Sequence, residues 1–277
     1  MTYTTLNAAA YLHHVALESA DPARLAKFYA DTMQMDVEQQ GEVYVCRGPE
    51  RRLLVTKGQS KKLGHGAFAC RDEDSLADLR DRAAKEGLEP QDAPSIFMDQ
   101  AFAVTDPDGN RMLFGLAKPD PATRSGIKGP TQHLTLATHD PDAIEAFYAG
   151  KLGFGVSDRV RKPTGEVSTC FMRSNHEHHS LACFRSDRQG IDHHSYEAGD
   201  WNSIRDWCDH FATQDIQLMW GPGRHGPGNN LFIFIVDPDG NWIEVSAELE
   251  IVHDRKVKEW PHAERTLNLW GKAILRS

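Results

Sequence analysis

Short runs of alternating apolar and polar residues, as in HHVALES, VYVCRG and RRLLVTK, are interrupted by stretches whose apolar residues recur every three or four positions. Leu25, Phe28, Tyr29 and Met33 form one such set; Ile144, Phe147, Tyr148 and Leu152 form another. The first pattern predicts half-buried strands and the second predicts helices with one face to bury. Both helices carry the same start signal, Asp21-Pro22 and Asp140-Pro141. The aspartate can cap the first free backbone N–H groups, and the proline suits the first helical position.

These two stretches belong to a longer repeat. HHVALESADPARLAKFYADTMQM returns without a gap as QHLTLATHDPDAIEAFYAGKLGF, setting His14 on His133 and Phe28-Tyr29 on Phe147-Tyr148, 119 positions on. VTDPDGNRMLF returns as IVDPDGNWIEV, with Asp106 and Asp237 131 apart. Within each copy a second strand-then-helix segment follows, HGAFACRDEDSLADLRDRAAKEG in the first and HSYEAGDWNSIRDWCDHFATQD in the second, and a turn-forming DPDGN precedes the last strand. The chain is therefore expected to be α+β, with four β-α-β-β-β units in two tandem domains, 1–119 and 120–277. The Pro- and Gly-rich AKPDPATRSGIKGP reads as the linker. The tail from about Ile251 matches neither copy, and its tryptophans and aliphatics suggest that it packs back on the second domain, near the mouth of a site.

Composition narrows the classes of function. Forty acidic against 31 basic residues give a formal charge of -9, and no Lys/Arg run offers a track for nucleic acid or an acidic membrane. No apolar stretch is long enough to span a bilayer, and the N-terminal residues lack a basic region followed by an apolar one, so a cytoplasmic protein is expected. Five cysteines without a Cys-x-x-Cys pair read as reduced, buried thiols, Cys183 and Cys208 among them. Fourteen histidines, many in the second half, direct attention to metal chemistry.

On three strands of the second copy the repeat offers His133, His194 and Glu244. Alternation lets each strand present one of them to a common cavity. Two imidazoles and one carboxylate, with positions left open, suit non-haem Fe(II) taking up substrate and O2 together, and Mn(II) could occupy the same set. The first copy offers His14 and His65, but counting from DPDGN the counterpart of Glu244 is Leu113, which cannot bind metal. The first copy is thus expected to keep the fold without the site. His13 and His193, as strand neighbours, are expected to point away, and His176 and His178 to be solvated loop residues.

The ordered set QHLTLA, HHSLACF, DHHSYEA, GRHG and DPDGNWIEV, with a tail RTLNLWG, resembles the type I extradiol catechol dioxygenases of the vicinal oxygen chelate superfamily over nearly the whole chain. The resemblance implies metal ligation by His133, His194 and Glu244, an acid/base role for His179, and a hydrogen bond from His225 to a substrate oxygen. It also implies a homo-oligomer. The reaction would insert both atoms of O2 into an aromatic diol while breaking the ring bond beside the two hydroxyls. One residue departs from the family pattern: Phe234 stands where a tyrosine usually hydrogen-bonds the ionised substrate oxygen. Thr135, Trp220 and Phe234 are expected to touch a hydrophobic diol. The alternatives are a same-fold metal enzyme of isomerase or transferase type, signalled by a fourth protein ligand, a dioxygenase for a non-catechol aromatic, and a metal-free binding module.

Overall fold

The computed structural model describes residues 8–275; residues 1–7, part of the N-terminal stretch read for a leader, lie outside it. The first copy holds β1 (Ala10–Ser19), α1 (Pro22–Thr32), β2 (Asp36–Gln40), β3 (Val43–Gly48), β4 (Arg51–Lys57), β5 (Lys62–Cys70), α2 (Glu73–Lys85), β6 (Gln91–Asp92), β7 (Met98–Thr105) and β8 (Arg111–Ala117). The second holds β9 (Thr131–Thr138), α3 (Pro141–Glu145) running into a π-helical turn (Ala146–Lys151), β10 (Gly155–Arg161), β11 (Val167–Arg173), β12 (Leu181–Arg185), β13 (Gly190–Gly199), α4 (Trp201–Thr213), β14 (Trp220–Arg224), β15 (Leu231–Val236) and β16 (Trp242–Ala247). The tail adds β17 (Lys258–Pro261) and a short α5 (Glu264–Leu267). This is the expected series of four β-α-β-β-β units. Each of the four main helices opens on an aspartate, Asp21, Asp72, Asp140 or Asp200, whose side chain accepts from a backbone N–H in the first turn.

The strands form two sheets, ordered β2-β3-β4-β1-β5-β8-β7-β6 and β14-β15-β16-β13-β9-β12-β11-β10-β17. In each, two units meet through one antiparallel pair of first strands, β1 with β5 and β13 with β9. One face of each sheet packs on helices in a continuous core shared by both copies, including Leu25, Tyr29, Phe114, Tyr148, Trp207 and Ile243. The opposite face is a concave cup. The first cup is filled by Ala16, Val45, Leu54, Ala67, Phe97 and Leu113.

The copies also grip each other through their repeated motifs. Tyr29 Oη donates to Asp237 Oδ2 of the second DPDGN at 3.2 Å, and Tyr148 Oη donates to Asp106 Oδ2 of the first at 3.0 Å. The same aspartates accept from backbone N–H groups within their own turns. The motif is therefore a turn whose carboxylate, besides closing its own loop, docks a helix of the other copy. Among the described residues no helix is long and apolar enough to cross a membrane.

Candidate metal centre

Strand register decides which side chains face the second cup. His133 and Thr135 share one face of β9. In the β9/β13 pair Thr135 stands opposite His193, whereas His194 stands opposite Leu134 on the core side. The parallel β13/β16 pair sets Ser195, two residues on from His193, beside Glu244. His133, His193 and Glu244 are consequently the one group of three among the described residues whose potential ligand atoms all lie within 4.8 Å of one another, and all three are buried. His133 Nε2 lies 3.0 Å and His193 Nε2 3.2 Å from Glu244 Oε2.

The expectation for His194 is corrected here. Its ring lies beneath the sheet, where Nε2 meets Tyr29 Oη at 3.2 Å. His193, expected to be structural, takes the cup position. A signal in the sequence identifies it: His14, His65, His133 and His193 each precede a capping aspartate, Asp21, Asp72, Asp140 or Asp200, by seven residues. Aligning the histidines of HGAFAC and HSYEAG instead shifts the phase by one. The joint from strand to capped helix keeps a fixed geometry, so the cap is the better origin for counting.

The first cup shows what the second has that it lacks. His14 Nε2 and His65 Nε2 stand 3.3 Å apart there, and β8 sets Leu113 beside Ala67 in the same relation that Glu244 holds to Ser195. Among the described residues no carboxylate completes the pair.

Around the complete cluster, hydrogen bonds hold each imidazole by Nδ1 and leave Nε2 toward the cavity. His133 Nδ1 donates to Gln132 Oε1 at 3.1 Å; Ser246 Oγ donates to the same oxygen at 2.5 Å, and the Gln132 amide donates to Glu197. His193 Nδ1 donates to Asp192 Oδ1 at 2.7 Å, and His225 Nδ1 to the Leu267 carbonyl of the tail at 2.5 Å. His179 Nδ1 is 3.0 Å from His178 Nδ1, and its ring lies against His133 with centroids 4.3 Å apart. Asn230 donates to Glu244 Oε1 at 3.1 Å, and His225 Nε2 is 3.7 Å from that oxygen. Such partners fix the tautomer and orientation of metal-binding groups.

The electrostatics follow from burial and from these neighbours. Burial alone would raise the Glu244 carboxyl, but His133, His193 and His225 outweigh it and hold it well below the usual range. Burial also works against charge on His193, yet Asp192 and Glu244 prevail and raise it. Burial lowers His133 despite Glu244. Burial, then His133 and His178, push His179 well below its ordinary value, so it is a neutral imidazole at pH 7. The donor set fits a divalent metal: three donors of suitable type converge, and their remaining polar atoms are already engaged.

Two small adjoining cavities of ≈ 30 and ≈ 20 Å³ open on this cluster. The expected substrate contacts line them. Trp220 stacks on Phe234 with centroids 5.3 Å apart, and Phe234 meets His193 edge-on at 5.2 Å. Thr135 is buried in the first cavity with a hydroxyl that has no hydrogen-bond partner. Phe171, Phe184, Leu267 and Ile274 complete the apolar walls, the last two from the tail. Among the described lining residues there is no lysine or arginine. Arg224 is engaged elsewhere, with Glu248 at 2.7 Å and over the Trp270 ring. His178, expected to be solvated, is fully buried behind His179. Larger grooves beside α2 and between the copies contain no such cluster of ligands.

Comparison with known proteins agrees with this architecture. The model of the Glyoxalase/Bleomycin resistance protein/Dioxygenase superfamily matches residues 11–114 and 131–245. Metapyrocatechase 2 of Cupriavidus necator is 25% identical over 292 residues, covering 95% of this chain and 89% of the relative. An iron-dependent extradiol dioxygenase of Rhodococcus jostii is 26% identical over 246 residues, covering 79% and 81%. The structure of homoprotocatechuate 2,3-dioxygenase from Arthrobacter globiformis superposes with a TM-score of 0.82 at 20% identity, over 96% of this chain and 88% of that one.

Proposed function

The chain belongs to the Glyoxalase/Bleomycin resistance protein/Dioxygenase superfamily, and on that premise we propose that it is an extradiol dioxygenase that opens the ring of a hydrophobic, uncharged aromatic diol. One observation carries the reading: two imidazoles and a carboxylate converge on one wall of an aromatic cavity into which two further histidines also face. The three-member ligand group favours this over isomerase or transferase chemistry, for which a fourth protein ligand was the expected sign.

His133 Nε2, His193 Nε2 and Glu244 would hold Fe(II), or Mn(II). When bound, the metal would supply Lewis-acid chemistry that favours the ionised diol and open positions for substrate and O2. The chain's own groups do the rest. Neutral His179 takes a hydroxyl proton from the diol and returns it as the ring opens. His225, held by the Leu267 carbonyl, meets a substrate oxygen with Nε2. Phe234, Trp220 and Phe184 give the ring an aromatic wall and exclude water, while the unpartnered Thr135 hydroxyl offers the substrate a hydrogen bond. With no lysine or arginine on the walls, a ring bearing a carboxylate would have to bury its charge unpaired, which costs several kcal/mol or about a thousandfold in affinity. The free thiols fit a reducing compartment and support a cytoplasmic location.

The test is anaerobic loading with Fe(II), then 2,3-dihydroxybiphenyl, catechol and 3,4-dihydroxyphenylacetate in air. Oxygen uptake with a yellow product from the first two, and little from the third, is the expected result. Tight metal binding without oxygen uptake on any diol would overturn the reading.

A further inference from the structure

The first cup lacks a carboxylate but keeps its pair of imidazoles in the arrangement found in the second. His14 Nε2 and His65 Nε2 stand 3.3 Å apart, the same separation as His133 Nε2 and His193 Nε2. The first pair of rings meets edge-on at 86° with centroids 5.3 Å apart, against 82° and 5.4 Å in the second cup. Ala16 stands opposite His65 where Thr135 stands opposite His193, so the strand register behind the two pairs is shared as well. The residue before each leading histidine plays the same part: His13 Nδ1 lies 2.9 Å from His14 Nδ1, as Gln132 Oε1 lies 3.1 Å from His133 Nδ1. In both cups this contact engages Nδ1 and leaves Nε2 facing the other imidazole.

We propose that His14 and His65 form a second, weaker metal site, which takes Zn(II) or Cu(II) through two imidazole nitrogens and completes its coordination with water. It stands apart from the dioxygenase reading, which concerns the other cup. Imidazole nitrogens bind zinc at about 2.0–2.1 Å, and two of them in a tetrahedral set lie about 3.3–3.4 Å apart. The pair therefore needs no rearrangement to chelate an ion. Leu113, beside Ala67, supplies no third ligand. His14 is fully buried but His65 is partly exposed, so water reaches the ion from the side of His65. Nothing in the cup neutralises the ion, and Arg52 and Arg111 lie near enough to oppose its charge. Loss of a group that merely orients a ligand costs ten- to a hundredfold in affinity, so a site missing a ligand should be about a hundredfold or more weaker than the second cup. The missing carboxylate also sets the choice of ion. Imidazole suits zinc and copper, and at a given nitrogen site affinity climbs from Mn(II) and Fe(II) toward Cu(II). Phe97 packs on His14 with centroids 4.9 Å apart, and with Val45, Leu54 and Leu113 it fills the rest of the cup. An ion held there has no room for an aromatic ring beside it. One cup binds metal and substrate, and the other binds metal alone.

Calorimetric titration of the metal-free full chain with Zn(II) at neutral pH tests this. Two binding events are expected, a tight one in the second cup and one weaker by about a hundredfold or more. His65→Leu should remove the weak event and keep the tight one, and His193→Leu should do the reverse. Leu113→Glu supplies the missing carboxylate and should strengthen the weak event by about a hundredfold or more. A single event in the wild type would overturn the proposal. So would a weak event that survives His65→Leu, since histidines elsewhere would then be its source, and unchanged affinity in Leu113→Glu would count against it. Should Leu113→Glu fail to fold, the His65 and His193 variants still decide. Turnover enters none of these measurements, so a wild type that consumes no oxygen would overturn the dioxygenase reading and leave this one standing.

Discussion

Replacing His193 and His194 one at a time separates the two faces of β13. His193→Leu removes one of three converging donors and leaves Glu244 with a single imidazole ligand in place. Loss of groups that merely orient a ligand costs roughly ten- to a hundredfold in metal affinity, so loss of a ligand itself should exceed about a hundredfold. The chain should then retain far less than one metal ion after dialysis, and turnover should fall with it. His194→Leu removes a hydrogen bond to Tyr29 Oη, worth about 1 kcal/mol. Tyr29 keeps its bond to Asp237, and the substitution also removes the His194 Nδ1 atom, which is buried without a partner. The net loss of stability should stay within about 1 kcal/mol, roughly 2 °C in melting temperature for a chain of this size. Metal analysis after dialysis and scanning calorimetry of both variants give the comparison. A His194 variant that loses metal while the His193 variant keeps it would refute the register argument.

Three further changes probe the cavity and its supports. Thr135→Val removes a buried hydroxyl that has no partner in the protein; KM for the diol should rise about fivefold through the lost bond to substrate, while the melting temperature holds or increases because an orphaned hydroxyl is removed from the folded chain. Phe234→Tyr adds a donor on the wall beside His193, and faster turnover of simple catechols by about fivefold is expected, unchanged steady-state rates being the contrary result. Burial pushes the Glu197 carboxyl up to about 7. The folded chain thus holds that proton more tightly than the unfolded one. The contribution is complete below about pH 4.5 and is lost as pH rises through 7, by about 1 to 2 kcal/mol after allowance for the partial exposure of Glu197. Glu197→Gln should flatten this decline in urea titrations from pH 5 to 8; a decline of the same depth would exclude Glu197 as its source.

The duplication, the four units and the location of the site were legible in the chain because each rests on local chemistry. A capping aspartate, a proline at the first helical position and a DPDGN turn repeat with the fold, and Leu113 against Glu244 marks the idle cup. His193 was misassigned by a single position, since a pair of adjacent histidines on a strand is resolved only by register. The register shifts in the β9/β13 pair, between Ile191 and His193 and between His194 and Tyr196, blur simple alternation further. Leu267 and Ile274 carried no mark of their own: they reach the cavity through α5 and the segment after it, and only the return of the tail through β17 brings them there.

The first copy also bears on the candidate site in the second. Tyr29 comes from its first helix, yet its hydroxyl touches both His194 and Asp237. His194 lies on the underside of the strand whose upper face carries His193, and Asp237 opens the turn that leads into the strand of Glu244. One side chain of the first copy therefore braces two of the three strands that bring ligands together, and Tyr148 returns the same contact to Asp106. A single copy would have to present Asp237 and the core face of β13 to water, with the donors of the second cup no longer fixed relative to one another. That dependence gives the first copy, with Leu113 at the place of Glu244, a physical role: its contribution is exerted through the shared core beneath the site.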